Sequence, residues 1–536
     1  MTLTRKHTYL SFILLTALVT GSSCKKDFET LNAPWNQPTK ASVPELFNGI
    51  LSSLPLTAGE QSVFNAWLYP ITQQAIIVSG SYPFNNASEP AWDNYYAALG
   101  TYRILQDSIA ARKDTANMNN VNAMLKTIMA YKTIKATNYY GNMPYSTAGR
   151  VAQLQSKAFN ATYDNQQDIY ASVLADLKWA VDNLSTASTQ YSVGGYDTFL
   201  GGDIALWKKF ANSLRLRVAV TMYNKNTTLA TTQITDALSK PLLADGENIG
   251  IWPSKTPGLT LEWREWSFSA NCYLRMGTTM WNLMSSSNDT TGAGIFDPRA
   301  KIFYETDNDS DWVAFPQNPS GAATEGGAPY DKAARYSGQN ANWYDKGAGC
   351  IYSPVNLYFE QDKNYIPELM LTAAEVHFLK AEVYNRGLGV TANAATAQTE
   401  YNAGVTASLN CWTSIAYNSP VWLMNKPTAA TATPTQVSTL LAKVAYDLTS
   451  SSNALKQIYA QEWIDMYRQP WDAWTLLRRT GGATPMSSTN TAYYTANYGV
   501  YNRFTYPDNE VSYNHANWLS ATGGTDLASS KIWIMP

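Results

Sequence analysis

The stretch Gly201-Gly-Asp-Ile-Ala-Leu-Trp-Lys-Lys-Phe-Ala-Asn-Ser-Leu-Arg-Leu-Arg-Val218 decides the fold class. Trp207, Phe210, Ala211, Leu214, Val218 and Met222 recur at helical spacing along one stripe, while Lys208, Lys209, Asn212 and Arg215 lie off it. Two glycines and Asp203 stand just before the stripe, as a loop and an N-cap do. The stretch therefore predicts a buried scaffold helix capped by Asp203, in which Trp207 is structural rather than ligand-facing. Arg215 and Arg217 are read as braces of that scaffold.

Working outward, the same design recurs on both sides. Upstream, helical patterning starts near Val43 and continues from Val63 to Val78, from Ala91 to Arg112, and from Val121 to Tyr140, where Gly141 stops it. Asp164 with Gln167 three residues on reads as a capping box for a helix carrying Ile169, Val173, Leu177, Ala180 and Leu184. Downstream, helices are predicted over Pro367 to Arg386, closed by Gly387, and over Ala392 to Leu409, Asn453 to Tyr467 and Pro470 to Arg479. Four pairs result, so the fold class is mainly α: tetratricopeptide-like helix pairs form a scaffold, with irregular spacing and an incomplete consensus. Between them, about 241–366 breaks into short runs separated by Gly, Pro, Asn and Asp, a long irregular insertion of the kind that carries function. The expected organisation is one domain over 43–536, with scaffold at about 43–240 and 367–480 and a loop-rich tail at 481–536 packing across it.

Composition narrows the partners. The net charge is only −2, which offers nothing to nucleic acid. Charged residues make up 15% of the chain, while 18 Trp and 35 Tyr accompany many Asn, Ser and Thr. Uncharged polarity of this kind suits neutral, hydroxyl-rich ligands, and a large aromatic core would also consume many of these rings. At the N-terminus, Arg5-Lys6 precedes an apolar run from Tyr9 to Val19, then Gly21-Ser22-Ser23 and Cys24. Residues 1–23 read as a secretory signal, and a cysteine at its end resembles a bacterial lipobox, although Gly21 replaces the expected aliphatic residue. Cys24 is thus the expected lipidation site, and 24–42, rich in Pro and Asn, the extended tether. No later run reaches the ~20 apolar residues needed to span a bilayer. Cys272, Cys350 and Cys411 are an odd number without metal-site spacing.

Seven strings in order resemble the SusD/RagB family of Bacteroidetes outer-membrane lipoproteins, particularly its SusD-like nutrient-binding branch. They are Cys24-Lys-Lys-Asp-Phe28, Tyr140-Gly-Asn-Met-Pro-Tyr145, Trp207 to Arg217, Asp297-Pro-Arg299, Glu375 to Gly387, Trp471 to Gly481, and Arg503 to Glu510 with Asn514 and Asn517. The resemblance covers essentially the whole mature chain. It implies a helical protein, lipid-anchored in the outer membrane and facing the cell exterior, that captures oligosaccharides and delivers them to a SusC-like TonB-dependent transporter. Peptides or another nutrient are the alternative ligand.

No catalytic constellation stands out, and no cofactor is expected. Glu262-Trp-Arg-Glu265 holds two carboxylates near tryptophans, as a surface glycosidase would need, and an arginine-paired or solvated acid is the plainer reading. Asp307-Asn-Asp-Ser-Asp311 alternates acids like a calcium loop, but Trp312 stands where glycine belongs and Asn318 where the closing Glu belongs. His377 and His515 lack partners at ligand spacing, so no metal site is expected. A neutral-glycan site needs exposed aromatic platforms beside amide or carboxylate groups, and loops are where rings stay exposed. Two regions qualify as ligand-binding: Tyr82, Phe84, Asn85, Asn86 and Trp92 at the mouth of the first helix pair, and Trp263, Trp266, Trp312, Trp343 and Tyr344 in the insertion. For each ring the competing reading is a plug between loop and scaffold, and Trp92, inside a helical pattern, is the foremost candidate for core.

Overall fold

The computed structural model describes residues 42–77, 83–155, 160–256, 259, 274–307, 309–316, 352–356, 365–420, 422, 425–483 and 499–536. The signal, Cys24 and nearly all of the tether lie outside the described residues.

Helix α1 (Val43–Leu51) begins at a reciprocal capping box between Ser42 and Glu45. A second capping box, Thr57 with Glu60, starts α2 (Ala58–Val63), which runs through a π-helical segment, Phe64–Leu68, into α3 (Tyr69–Thr72). The helix expected over Val63 to Val78 is therefore displaced towards the N-terminus: its cap lies at Thr57, and Gln73, at φ 60°, ends it before Ile76–Ile77 leave as strand β1.

The scaffold follows as a relay of packed neighbours. Helix α4 (Ser88–Ala110) packs on α5 (Asn119–Tyr140), α5 on α6 (Gln166–Asn183), α6 on α7 (Ile204–Met222), and α7 on α8 (Thr227–Leu238). After the insertion, α9 (Ala373–Arg386) packs on α10 (Ala394–Asn418), and α12 (Ser451–Asp465) packs on both. The order closes with α11 (Pro434–Lys443) before α12 and α13 (Pro470–Arg479) after it. Helices α8 and α11 were not foreseen. Both are short and rich in Thr, and their start signals are side-chain caps, Asn226 on Leu229 N–H and Thr433 on Gln436 N–H, rather than an apolar stripe.

The quoted stretch forms α7 as expected. Asp203 accepts the Leu206 N–H at 2.9 Å, and the two glycines before it adopt φ of 66° and 78°. Trp207 is fully buried, its indole N–H donating to Asp197 Oδ2 at 2.7 Å and its ring packed on Phe199 and Phe210. Lys208 and Lys209 are half-buried, but the polar residues Asn212, Arg215 and Arg217 are buried. Asn212 donates to the carbonyls of Ala237, Lys240 and Pro241; Arg215 donates to Gln233 and Asp236; Arg217 grips both oxygens of Glu375 and the Met370 carbonyl. Except for Asn212 Oδ1 and Arg215 Nη2, which make no hydrogen bond among the described residues, these groups replace lost hydration with fixed partners, which is what lets a helix be buried on nearly every side.

Asp164 departs from its expected role. Asn165 occupies the N-cap position of α6, and the Asp164 carboxylate instead accepts the Tyr145 and Ser146 N–H groups and the Ser146 hydroxyl. It pins the turn after Gly141, whose strand β2 (Met143–Pro144) pairs with β3 (Tyr163–Asp164).

The described part of the insertion is more regular than expected. Strand β4 (Ile249–Ile251) pairs antiparallel with β6 (Glu368–Leu371), clamping its two ends together, and β1 pairs with β5 (Leu274–Arg275). A Cβ on Gly250 would sit 2.5 Å from the Glu368 carbonyl oxygen, so only glycine admits this approach. Arg299, fully buried, binds Asp297 and reaches Ser408 on α10 and Gln461 on α12, joining the insertion to the second half of the scaffold. The tail crosses back over the first half: Phe504 N–H donates to Tyr139 O at 2.7 Å, the Tyr506 hydroxyl to Asn142 O at 2.6 Å, and Ile532 and Ile534 are buried. It also contains two short helices, Asp508–Tyr513 and His515–Thr522, where loop alone was expected.

Candidate functional site

The π-helical segment sets the site. An extra residue in one turn re-aims the side chains that follow, a device frequent at functional sites. Here it carries Trp67 against Tyr501, at 5.0 Å between ring centroids, and against Phe84 at 6.2 Å. Phe84 lies at the hub, 4.4 Å from Tyr501, 4.8 Å from Phe504 and 5.7 Å from Trp474. Trp474 is fixed twice: its indole N–H donates to Tyr501 O at 3.2 Å, and the Arg478 guanidinium sits 3.5 Å over its ring. Arg478 in turn donates to the carbonyls of Asn138 and Asn502. It therefore braces the cluster.

Beside this cluster opens a cleft of about 400 Å³, lined among others by Ile71, Trp474, Tyr501, Asn502, Lys531 and Met535. Of the two rings in that lining, Trp474 is buried and Tyr501 half-buried, with the half-buried Trp67 packed against Tyr501, so the aromatic wall is held by the core and still meets solvent. The volume lies within the range of small-molecule sites, and an apolar wall edged by an amide and an amine is their usual chemistry.

The expected platforms fare differently. Phe84 is 3% exposed, Trp92 8% and Trp312 5%, so none offers a free ring face: the expected exposure is corrected for Phe84 and Trp312, and Trp92 is not a platform but takes the core role that was its competing reading. Distant partners cover them. Phe84 is enclosed by the tail and α13, Trp92 by Tyr96 and Tyr140, and Trp312 stacks on Trp281 in a recess that Gly292 leaves open. Asn85 and Asn86 are exposed beside Phe84, and Asn85 Oδ1 accepts the Thr505 N–H. Tyr82, Trp263, Trp266, Trp343 and Tyr344, with Glu262 and Glu265, lie outside the described residues. Phe84 and Trp312 belong to separate aromatic clusters.

Trp67, Trp474 and Tyr501 were missed. Trp67 and Trp474 sit within helical stripes that read as scaffold, and the contact that exposes Trp67's role crosses more than 400 residues. The Tyr- and Asn-rich run ending at Tyr501 was the available signal.

The remaining motifs are structural. Asp307 accepts the N–H groups of Asp309 and Asp311, closing its own loop. His377 lies between Glu400 on α10 and Asp245, at 2.6 and 3.1 Å. Among the described residues no cluster of three His, Cys, Asp or Glu side chains could hold a metal, and no helix is long and apolar enough to cross a membrane.

The comparisons agree with this architecture. A chitin-binding protein matches at 21% identity and a TM-score of 0.69, over 92% of this chain and all of its own. A chitin-binding SusD homolog from Flavobacterium johnsoniae matches at 20% identity and 0.59, over 92% and 97%. A SusD homolog from Bacteroides fragilis matches at 17% identity and 0.66, over 92% and 100%. At these identities the likeness is one of fold. No curated protein sequence matches. The SusD-like family model, described as starch-binding and associating with the outer membrane, matches residues 36–507. Spanning most of the sequence and agreeing with the helical architecture, that match places the chain in the SusD-like family of nutrient-binding, outer-membrane-associated proteins.

Proposed function

We propose that this protein is a surface lipoprotein that captures neutral oligosaccharides and passes them to a SusC-like TonB-dependent transporter, without chemistry of its own. The observation that carries the reading is the half-buried Tyr501 ring on the wall of an open cleft, beside Trp474 and with Trp67 packed against it at 5.0 Å. Sugar rings offer apolar C–H faces edged by hydroxyls, so such a wall beside the Asn502 amide and the Lys531 amine matches a neutral glycan. The family description names starch, and two of the structural relatives are named for chitin. Both glucans and N-acetylglucosamine polymers are therefore the first ligands to try. Asn85, Asn86, Tyr82, Trp263, Trp266, Trp343 and Tyr344 are proposed as further contributors.

The test is calorimetric titration with maltoheptaose and chitohexaose. Saturable binding to one of them is expected, weakened about 3- to 10-fold in Tyr501→Ala, the worth of one aromatic contact, and weakened in Trp67→Ala through the loss of the ring that supports Tyr501. If both variants bind like wild type, the cleft is not the site. Reducing sugar released during incubation would contradict the non-enzymatic reading.

A further inference from the structure

A second cleft, of about 380 Å³, opens between the entry turn of α7 and the start of the insertion. Gly201, Asp203, Asn248, Trp252, Lys255 and Thr256 are among its walls, and it shares no lining residue with the first. Trp252 follows β4 and is half-buried; its indole N–H donates to Asn248 O at 3.3 Å, which fixes the ring plane. The exposed Lys255 ammonium stands over the ring, 5.0 Å from its centroid, on a flexible stem that lets a stacking sugar displace it to the ring edge, where it remains within donor reach. Asp203 spends one carboxylate oxygen on the Leu206 N–H, and its other oxygen makes no hydrogen bond among the described residues. Gly201 and Gly246 have φ of 66° and 83°, and a Cβ on either would meet nothing within 4 Å, so the floor is open.

We infer that this cleft is a second sugar subsite, taking one neutral pyranose or the end of a short oligosaccharide. The indole supplies the C–H face, Asp203 accepts from hydroxyls and Lys255 donates to them. Charge decides the class. Glu247 is already held by Lys209 at 2.6 Å and by the Ala244 N–H, leaving one acid and one base facing the space. An acidic sugar would meet Asp203 and a basic one Lys255, whereas a neutral ring uses both. With a single aromatic wall and an open floor, its affinity is weaker than that of the first cleft.

The inference rests on the glycan-binding reading, and a probe local to Trp252 separates the two. Protein labelled with 5-fluorotryptophan is titrated with maltotriose and with diacetylchitobiose, following fluorine NMR, with the Trp252 and Trp67 resonances assigned by Trp252→Phe and Trp67→Phe. The Trp252 resonance is expected to shift saturably with one of them, in wild type and equally in Trp67→Ala. In Lys255→Ala, an exposed and structurally mild change, half-saturation should rise about 3- to 10-fold, as for one lost hydrogen bond. A Trp252 resonance unmoved by both sugars, or one that moves only while Trp67 is intact, overturns the second subsite. A Lys255→Ala curve identical to wild type overturns the assigned contact. A Trp252 shift in a protein whose calorimetric binding is unchanged by Tyr501→Ala would instead overturn the first cleft.

Discussion

Glu462 is a carboxyl with little compensation: it is 1% exposed, Oε2 has no hydrogen-bond partner among the described residues, and its nearest cation, Arg479, is 3.6 Å away and already committed to Glu382. Desolvation by burial, helped by the charge of Glu382 and opposed by Arg479, pushes its pKa up to about 8 from 4.5. Because the folded value lies above the unfolded one, the stabilisation is complete below about 4.5 and is lost as pH rises through about 8, a tenfold difference in proton affinity between the two states being worth about 1.4 kcal/mol. Melting temperature should therefore decline between about pH 5 and pH 8.5 in wild type, and decline less in Glu462→Gln, which keeps the shape without the ionisation. Parallel curves would show that Glu462 does not titrate in that window. Trp207 raises a different question, answered by packing. Its burial and its bond to Asp197 predict that Trp207→Ala costs about 3–5 kcal/mol, lowering the melting temperature while any sugar still binds the folded fraction. A variant that melts like wild type but loses ligand would make Trp207 part of a site.

At the scale of elements, what the sequence shows depends on how far apart the deciding partners lie. The α7 helix was legible because its stripe, its cap and its glycines are local. So were the stop at Gly141 and the αL cap at Gly387, with φ of 79° and 71°. Asp164 misled by one position because a carboxylate before a helix can serve the helix or the preceding turn, and only the β2–β3 pairing chooses. The strand pair β4–β6 was invisible for the same reason: two short apolar runs more than a hundred residues apart carry no mutual register. Gly250 now supplies a test of that pair. Gly250→Ala forces a methyl against the Glu368 carbonyl, which must shift with its backbone, at a cost of about 1–3 kcal/mol. Gly246→Ala, in open space although at positive φ, serves as the strained but unclashed control. Equal melting of Gly250→Ala and wild type would mean that the clamp between the ends of the insertion yields easily.

Across the whole molecule, aromatic residues have two fates that composition cannot separate. Trp207, Trp412, Trp463 and Trp474 are core, while Trp67 and Trp252 remain half open, and which is which follows from contacts between the first scaffold half, the insertion and the tail. Hence the fold was readable from periodicity, and the site only as a class of residue on loops. Location is governed by another part of the chain, the basic pair Arg5-Lys6, the apolar run and Cys24, which owes nothing to the helical scaffold. If Cys24 is acylated, the mature protein needs no spanning segment. A single acyl chain holds a protein to a membrane only marginally, so firm retention requires the several chains that a bacterial lipoprotein carries. Cells grown with an alkyne-bearing fatty acid should yield labelled wild-type protein in the outer-membrane fraction. Cys24→Ala should be unlabelled and recovered away from that fraction, yet should bind sugar as wild type does, since the anchor and the clefts lie on different segments. Equal labelling of the two proteins would refute acylation at Cys24. An unlabelled Cys24→Ala protein that still sediments with the outer membrane would show that contacts of the folded scaffold, rather than the lipid, hold it there.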